Sequence, residues 1–242
     1  MEPSAGAAVP SPLTKARRDP RSPKARILAA ARQRFGELGY AAATTRGIAA
    51  AVGIDISTLH YHWGDKLDLY EAVVQDAAEE IRRELAAIEA LASGKPLGAR
   101  LEIAIDRICD YLFAHPEVAG LILSGFFSRV RHGSALDLEM SAQLARVAVA
   151  MDLAPSRDRV PTASRARILA VWNTVLNFIA GENFFRPLLA VDRPEYVRTV
   201  KATLKFILVP AFDRPPPAAG SSRGAARTAR GRRPRPRSRR AP

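Results

Sequence analysis

Between residues 23 and 213 the apolar positions recur at helical spacing, with almost no strict alternation of the kind a strand shows. Ile27, Leu28, Ala31 and Phe35 predict a first helix over residues 24–38, with Gly39 as its stop. Thr44 is placed to cap a second, over Thr45–Val52, ended by Gly53. Asp55 is placed to cap a third, Ile56–Trp63, ended by Gly64. Asp65 precedes a long fourth, Lys66–Ala92. Pro96 and Pro116 suit the first positions of a fifth helix to Ala114 and a sixth to about Val130. A seventh is expected over about Ala135–Ala154, an eighth over Ser164–Gly181, and a ninth from Pro194 to Val209, stopped by Pro210. The expectation is an all-α chain of about nine helices with connections of a few residues.

The ends read differently. Residues 1–22 and 214–242 hold many of the prolines and no periodic apolar positions, so they cannot bury enough surface to offset ordering entropy. Both are expected to be disordered. The division is a basic arm over 1–22, a unit of short helices over 23–70, a larger helical unit over 71–213, and an Arg/Pro-rich tail over 214–242.

Charge follows the same division. The chain of 242 residues carries a formal +13, of which ten charges are the arginines of residues 214–242. The body is close to neutral. A basic excess favours a polyanionic partner but does not specify a fold. No apolar run reaches the roughly 18 residues a membrane span needs, and residues 1–22 have no signal-peptide core, so a cytoplasmic location is expected. The single cysteine, Cys109, excludes an internal disulfide and reads as a small buried hydrophobe.

The second and third helices are short and joined by Val52-Gly53-Ile54. Gly53 has the spacing of the turn glycine in a helix-turn-helix, where positive φ is required. Ile48, Ala49, Val52, Ile54 and Leu59 would lock the pair, and the third helix would enter the DNA major groove. Ile56, Ser57, His60 and Tyr61 then fall on its exposed side and could reach base edges, Ile56 only through apolar contact with a thymine methyl. Thr58 and Tyr61 can donate to phosphate, and Lys66 adds a charged donor beside a positive helix end. His60 and His62 lie roughly 200° apart around a helix, which is poor geometry for one metal ion.

The stretch Ile27-Leu28-Ala29-Ala30-Ala31, Phe35-Gly36-Glu37-Leu38-Gly39-Tyr40, Thr44 to Ala49, Val52-Gly53-Ile54 and Thr58 to Lys66 resembles the N-terminal domain of TetR-type transcriptional repressors. The likeness covers about residues 24–70; beyond it only helical layout and length agree. It implies a homodimer on a palindromic DNA operator, released by a small effector, in a bacterial cytoplasm where DNA binding holds it on the nucleoid. Carried onto this chain, it gives Thr45, Arg46 and His62 phosphate contacts. The pattern departs from the family at Gly47, where an acidic residue would complete a capping box, and at Ser57 and His60.

Residues 71–213 are near neutral and rich in large apolar side chains, suited to a core and, by the resemblance, to a pocket. The pocket candidates are Ile108, Tyr111, Leu112, Leu123, Phe126, Phe127, Asn173 and Asn177, for an apolar or amphipathic effector. Stripes on the eighth and ninth helices supply dimer candidates: Trp172, Val175, Ile179, Val197, Val200 and Leu204. Asp106 and Asp110, one turn apart, read as a solvated face rather than a catalytic couple. No phosphate loop, nucleophile elbow or zinc-binding helix motif occurs, so no catalytic residue, metal or cofactor is expected. The rival reading is a sequence-independent DNA-binding protein that grips through its basic tail.

Overall fold

The computed structural model describes residues 11–127 and 134–213, apart from the side chains of 126–127, 134–139 and 213. The described residues form eleven helices and no strand. These are α1 (Pro12–Arg18), α2 (Pro23–Ala42), α3 (Thr45–Val52), α4 (Ile56–Trp63), α5 (Lys66–Ala92) and α6 (Leu97–Ala114). There follow α7 (Pro116–Phe127), α8 (Ser134–Ala150), α9 (Thr162–Ala180), α10 (Glu182–Leu189) and α11 (Arg193–Asp213).

Two helices exceed the expected nine. α1 lies inside the stretch expected to be disordered, which corrects that expectation for residues 12–18. Pro12 opens it, Ser11 Oγ accepts from the Thr14 amide at 3.2 Å, and Leu13 and Ala16, one turn apart, bury against the body. Arg17 Nε reaches Asp76 of α5 at 2.8 Å. α10 contains Pro187 and buries none of its residues fully; its apolar stripe, Phe184, Phe185, Leu188 and Leu189, leaves only Phe185 half-buried against the core. At the other end, α11 runs through Pro210 to Asp213, past the expected stop. The tail, 214–242, lies outside the described residues, as do the side chains of the pocket candidates Phe126 and Phe127.

One main core runs through the described residues, from Leu13 to Leu208. Ile27, Ala31 and Phe35 of α2 meet Ile48 and Leu59 of the helix-turn-helix on one side and Leu69, Tyr70 and Val73 of α5 on another. The same core continues through Ile105, Cys109 and Leu112 of α6 and Val118 of α7 to Val175, Leu176, Ile179, Val200 and Leu204 of α9 and α11. Phe35, Tyr40 and Tyr70 form an aromatic cluster with centroids 4.9 to 6.1 Å apart. Burial pushes the Cys109 thiol up to about 12, so it stays protonated and unreactive, as a small buried hydrophobe should. Lys205 holds Asp106 at 2.6 Å and Lys201 pairs with Asp110, so these two carboxylates tie α6 to α11. Among the described residues no helix is long and apolar enough to cross a membrane.

The body is joined to the first helices across α2 and α7. Arg32 of α2, only 11% exposed, points Nε at Glu117 of α7 (3.1 Å) and Nη2 at Glu80 of α5 (2.7 Å). Tyr111 of α6 donates to Glu80 from its hydroxyl at 2.9 Å. Burial alone would raise the Glu80 carboxyl, but the Arg32 hydrogen bond and charge outweigh it and hold that group below its ordinary value.

Candidate nucleic-acid interface and inner cavity

α3 and α4 begin and end where local chemistry dictates. Thr44 Oγ1 accepts from the Gly47 amide at 3.0 Å and starts α3. Gly47 supplies no carboxylate to complete the reciprocal bond, as its residue type requires. Gly53 adopts φ 72° and ψ 40°, and the Ile54 amide returns to Ala49 O at 3.1 Å. A side chain there would be strained, so the turn between the helices needs this glycine. Asp55 precedes α4 without a side-chain cap, contrary to expectation. Asp65 and Asp68 form a full capping box at the start of α5, with bonds of 2.7 to 2.9 Å.

The pair is docked by its inner face. Ile48 and Leu59 are fully enclosed and Ala49 nearly so, which lets α3 and α4 cross closely. Trp63 Nε1 donates to Lys24 O at 3.2 Å, and Arg26 Nη2 donates to Val52 O at 2.8 Å. Both bonds bind the helix-turn-helix to α2.

Its outer face carries most of the residues expected to contact DNA. Tyr61 is 84% exposed and Ile56 41%, and Arg46, Ser57 and His60 are exposed as well. Thr45 and Thr58 are half-buried at the edge. Three residues have additional duties. His60 Nδ1 donates to Gly64 O at 2.7 Å, closing the end of α4 and fixing the tautomer. Lys66 turns back to Ala41 O at 3.4 Å, with Nζ 4.5 Å from the centre of the Tyr40 ring, so it braces α2 as well as bearing charge. Burial, helped by the nearby Lys24 charge, lowers the His62 pKa, and its Nδ1 is enclosed without a partner. A half-buried, neutral imidazole is a weak phosphate ligand, and His62 belongs to the scaffold side of α4. Among the described residues no cluster of three or more His, Cys, Asp or Glu could hold a metal ion.

Behind this domain, α5, α6, α8, α9 and α11 enclose a cavity of about 380 Å³. Its walls are largely apolar, with Ile88, Leu101, Ile105, Ile168 and Trp172 among them, and it also meets Arg82, Arg100, Arg146 and Glu89. Of the pocket candidates whose side chains are described, only Ile108 lines it. Tyr111 is spent on Glu80, Leu112 is fully enclosed in the core, and Leu123 packs beside that core. Asn173 and Asn177 are exposed and donate to the carbonyls of Leu169 and Asn173, one turn back, at 2.9 and 2.8 Å. They face outward, because the apolar stripe of α9 occupies its inner side.

The dimer candidates are corrected in the same way. Val175, Ile179, Val200 and Leu204 are at most 1% exposed within a single chain, and Trp172 and Val175 line the cavity. Val197 is half-buried against the core. The large apolar residues left outside on these helices and α10 are others: Leu169, Phe184, Leu188, Leu189, Phe206 and Ile207, with Phe206 81% exposed. Helical periodicity identified an apolar stripe without telling an inner face from an outer one.

Comparison with known proteins agrees with this geometry. Residues 27–73 match the family model described as bacterial regulatory proteins, tetR family. The HTH-type transcriptional repressor SCO4008 of Streptomyces coelicolor is 31% identical over 121 residues, 50% of this chain, and the chain spans 56% of that relative's length. Among solved structures, transcriptional regulator SCO4942 of Streptomyces coelicolor has a TM-score of 0.54 at 22% identity, covering 80% of this chain and 100% of that one. A tetR family regulator from Shewanella sp. PV-4 has a TM-score of 0.55 at 19% identity, covering 77% and 97%. At such identities these two likenesses speak for the fold alone. The helix-turn-helix over residues 27–73 is thus similar to that of the tetR family of bacterial regulatory proteins.

Proposed function

We propose that this regulator binds a palindromic DNA operator as a homodimer, represses transcription there, and leaves when a small amphipathic molecule occupies the inner cavity. The observation that carries the DNA half is the outer face of α4, where Tyr61 stands 84% exposed beside Ile56 and Ser57 on a helix whose opposite side is locked to α2. An aromatic hydroxyl left in water on a rigid helix has the reach for phosphate and base edges. Arg46 and Thr45, at the start of α3, supply the flanking phosphate contacts.

The exposed apolar residues of α9, α10 and α11 support a two-fold interface. Alanine and asparagine at 166, 170, 173 and 177 give α9 a low outer surface that another helix can approach closely, and Phe206 of α11 and Leu188 of α10 are exposed. A closed dimer would place two copies of α4 about 34 Å apart, one turn of duplex. In the effector half, a ligand preferring a different arrangement of α5 and α6 shifts α5, and with it α4. By linkage, ligand and DNA then weaken each other by the same factor. The name of the relative SCO4008 agrees with repression.

Selection from a random-sequence duplex library tests the reading. An enriched inverted repeat is expected. Recovery of no preferred sequence would favour the rival reading, grip by the ten arginines of residues 214–242.

A further inference from the structure

The polar groups around the cavity are unevenly charged. Arg82 comes from α5, Arg100 from α6 and Arg146 from α8, and Glu89 is the one acid among the lining residues. Arg100 is the most enclosed, with its side chain 16% exposed. Its Nη1 donates to Ala150 O at 2.7 Å at the end of α8, and its Nη2 pairs with Asp152. Its Nε is buried and has no hydrogen-bond partner. A buried donor left without an acceptor costs free energy that an incoming oxygen would recover. The guanidinium is already held in place by α8, so such an oxygen can reach it once the Asp152 carboxylate gives way. Asp152, by contrast, has a side chain 69% exposed and gives up little by returning to water.

We propose that the cavity takes an amphipathic anion, whose apolar body lies against Ile105, Ile168 and Trp172 and whose carboxylate binds Arg100 in place of Asp152. The proposal rests on the reading of this cavity as the effector site and adds the chemical class of the effector. A carboxylate can bridge Nε and Nη2 of one guanidinium with two parallel bonds, which a neutral oxygen matches poorly. Arg146 adds a further positive charge at the same cavity.

Calorimetric titration of the full chain with dodecanoate, methyl dodecanoate and dodecyltrimethylammonium, all below their aggregation limits, tests the charge preference. Dodecanoate should bind about tenfold or more tighter than the ester, and the cation weakest. Arg100→Gln should erase that preference. Because Arg100 also braces α8, a second variant, Asp152→Asn, guards against misfolding. Position 152 has φ 54°, which asparagine tolerates well, and removing the competing carboxylate should tighten dodecanoate binding while leaving the ester unchanged. Equal binding of acid and ester, or a preference that survives Arg100→Gln, would overturn the anion assignment and leave the effector cavity standing. Failure of all three probes to bind would overturn both.

Discussion

The carbonyl oxygen of Gly36 in α2 occupies the space where a Cβ on Gly120 of α7 would stand. The crossing is tight from both sides, since a Cβ on Gly36 would run into the backbone of Glu117. Close approach is what brings Arg32 of α2 within 3.1 Å of Glu117, so the helix that carries the helix-turn-helix is clamped to the body at this point.

Gly120→Ala should therefore destabilise the chain by about 1–3 kcal/mol, as overpacking does. Gly125, on the same helix, has open space where its Cβ would be. Gly125→Ala should be neutral or slightly stabilising. Thermal unfolding of the two variants beside the parent checks this; equal midpoints for both would remove the steric account of the crossing.

The ion-pair hub predicts a pH dependence. The Glu80 carboxyl is held below its ordinary value of 4.5, so it contributes stability above that value and loses it as pH falls through the lowered one. Arg32→Ala leaves Glu117, 6% exposed, without its guanidinium, which should cost about 3 kcal/mol at neutral pH. Without Arg32 the Glu80 carboxyl takes up its proton more readily, so the deficit of the variant should shrink on acidification. Unfolding midpoints measured from pH 7 down to about pH 3.5 would reveal a constant deficit if the hub carried no such linkage.

Phe206 offers the cleanest test of assembly. It is 81% exposed, so Phe206→Glu leaves the core of the single chain untouched. The parent should sediment and scatter as a dimer at micromolar concentration, and the variant as a monomer with unchanged helical content. A dimer that survives the substitution would place the interface elsewhere.

The helix-turn-helix was legible because its boundaries are written in local chemistry. α3, α4 and α5 begin and end at the expected residues, Thr45–Val52, Ile56–Trp63 and Lys66–Ala92, since glycines and short polar side chains mark each end. Facing was not legible. Val200 and Phe206 both lie on α11 in an apolar pattern, yet one is inside and the other outside. Tyr111 reads as a pocket aromatic until Glu80 is seen to take its hydroxyl. Such choices depend on which helices arrive from distant parts of the chain. α1 escaped notice because two buried side chains, Leu13 and Ala16, suffice to hold it once Arg17 finds Asp76.

The central claim is that the outer face of α4 reads DNA. The most direct measurement is fluorescence anisotropy of the library-selected duplex, titrated with the parent chain and with Tyr61→Ala under competition from random duplex. The parent should hold its site against the competitor, and the variant should lose that hold while keeping its helical content and its dimer. Unchanged affinity and selectivity in Tyr61→Ala would contradict the account.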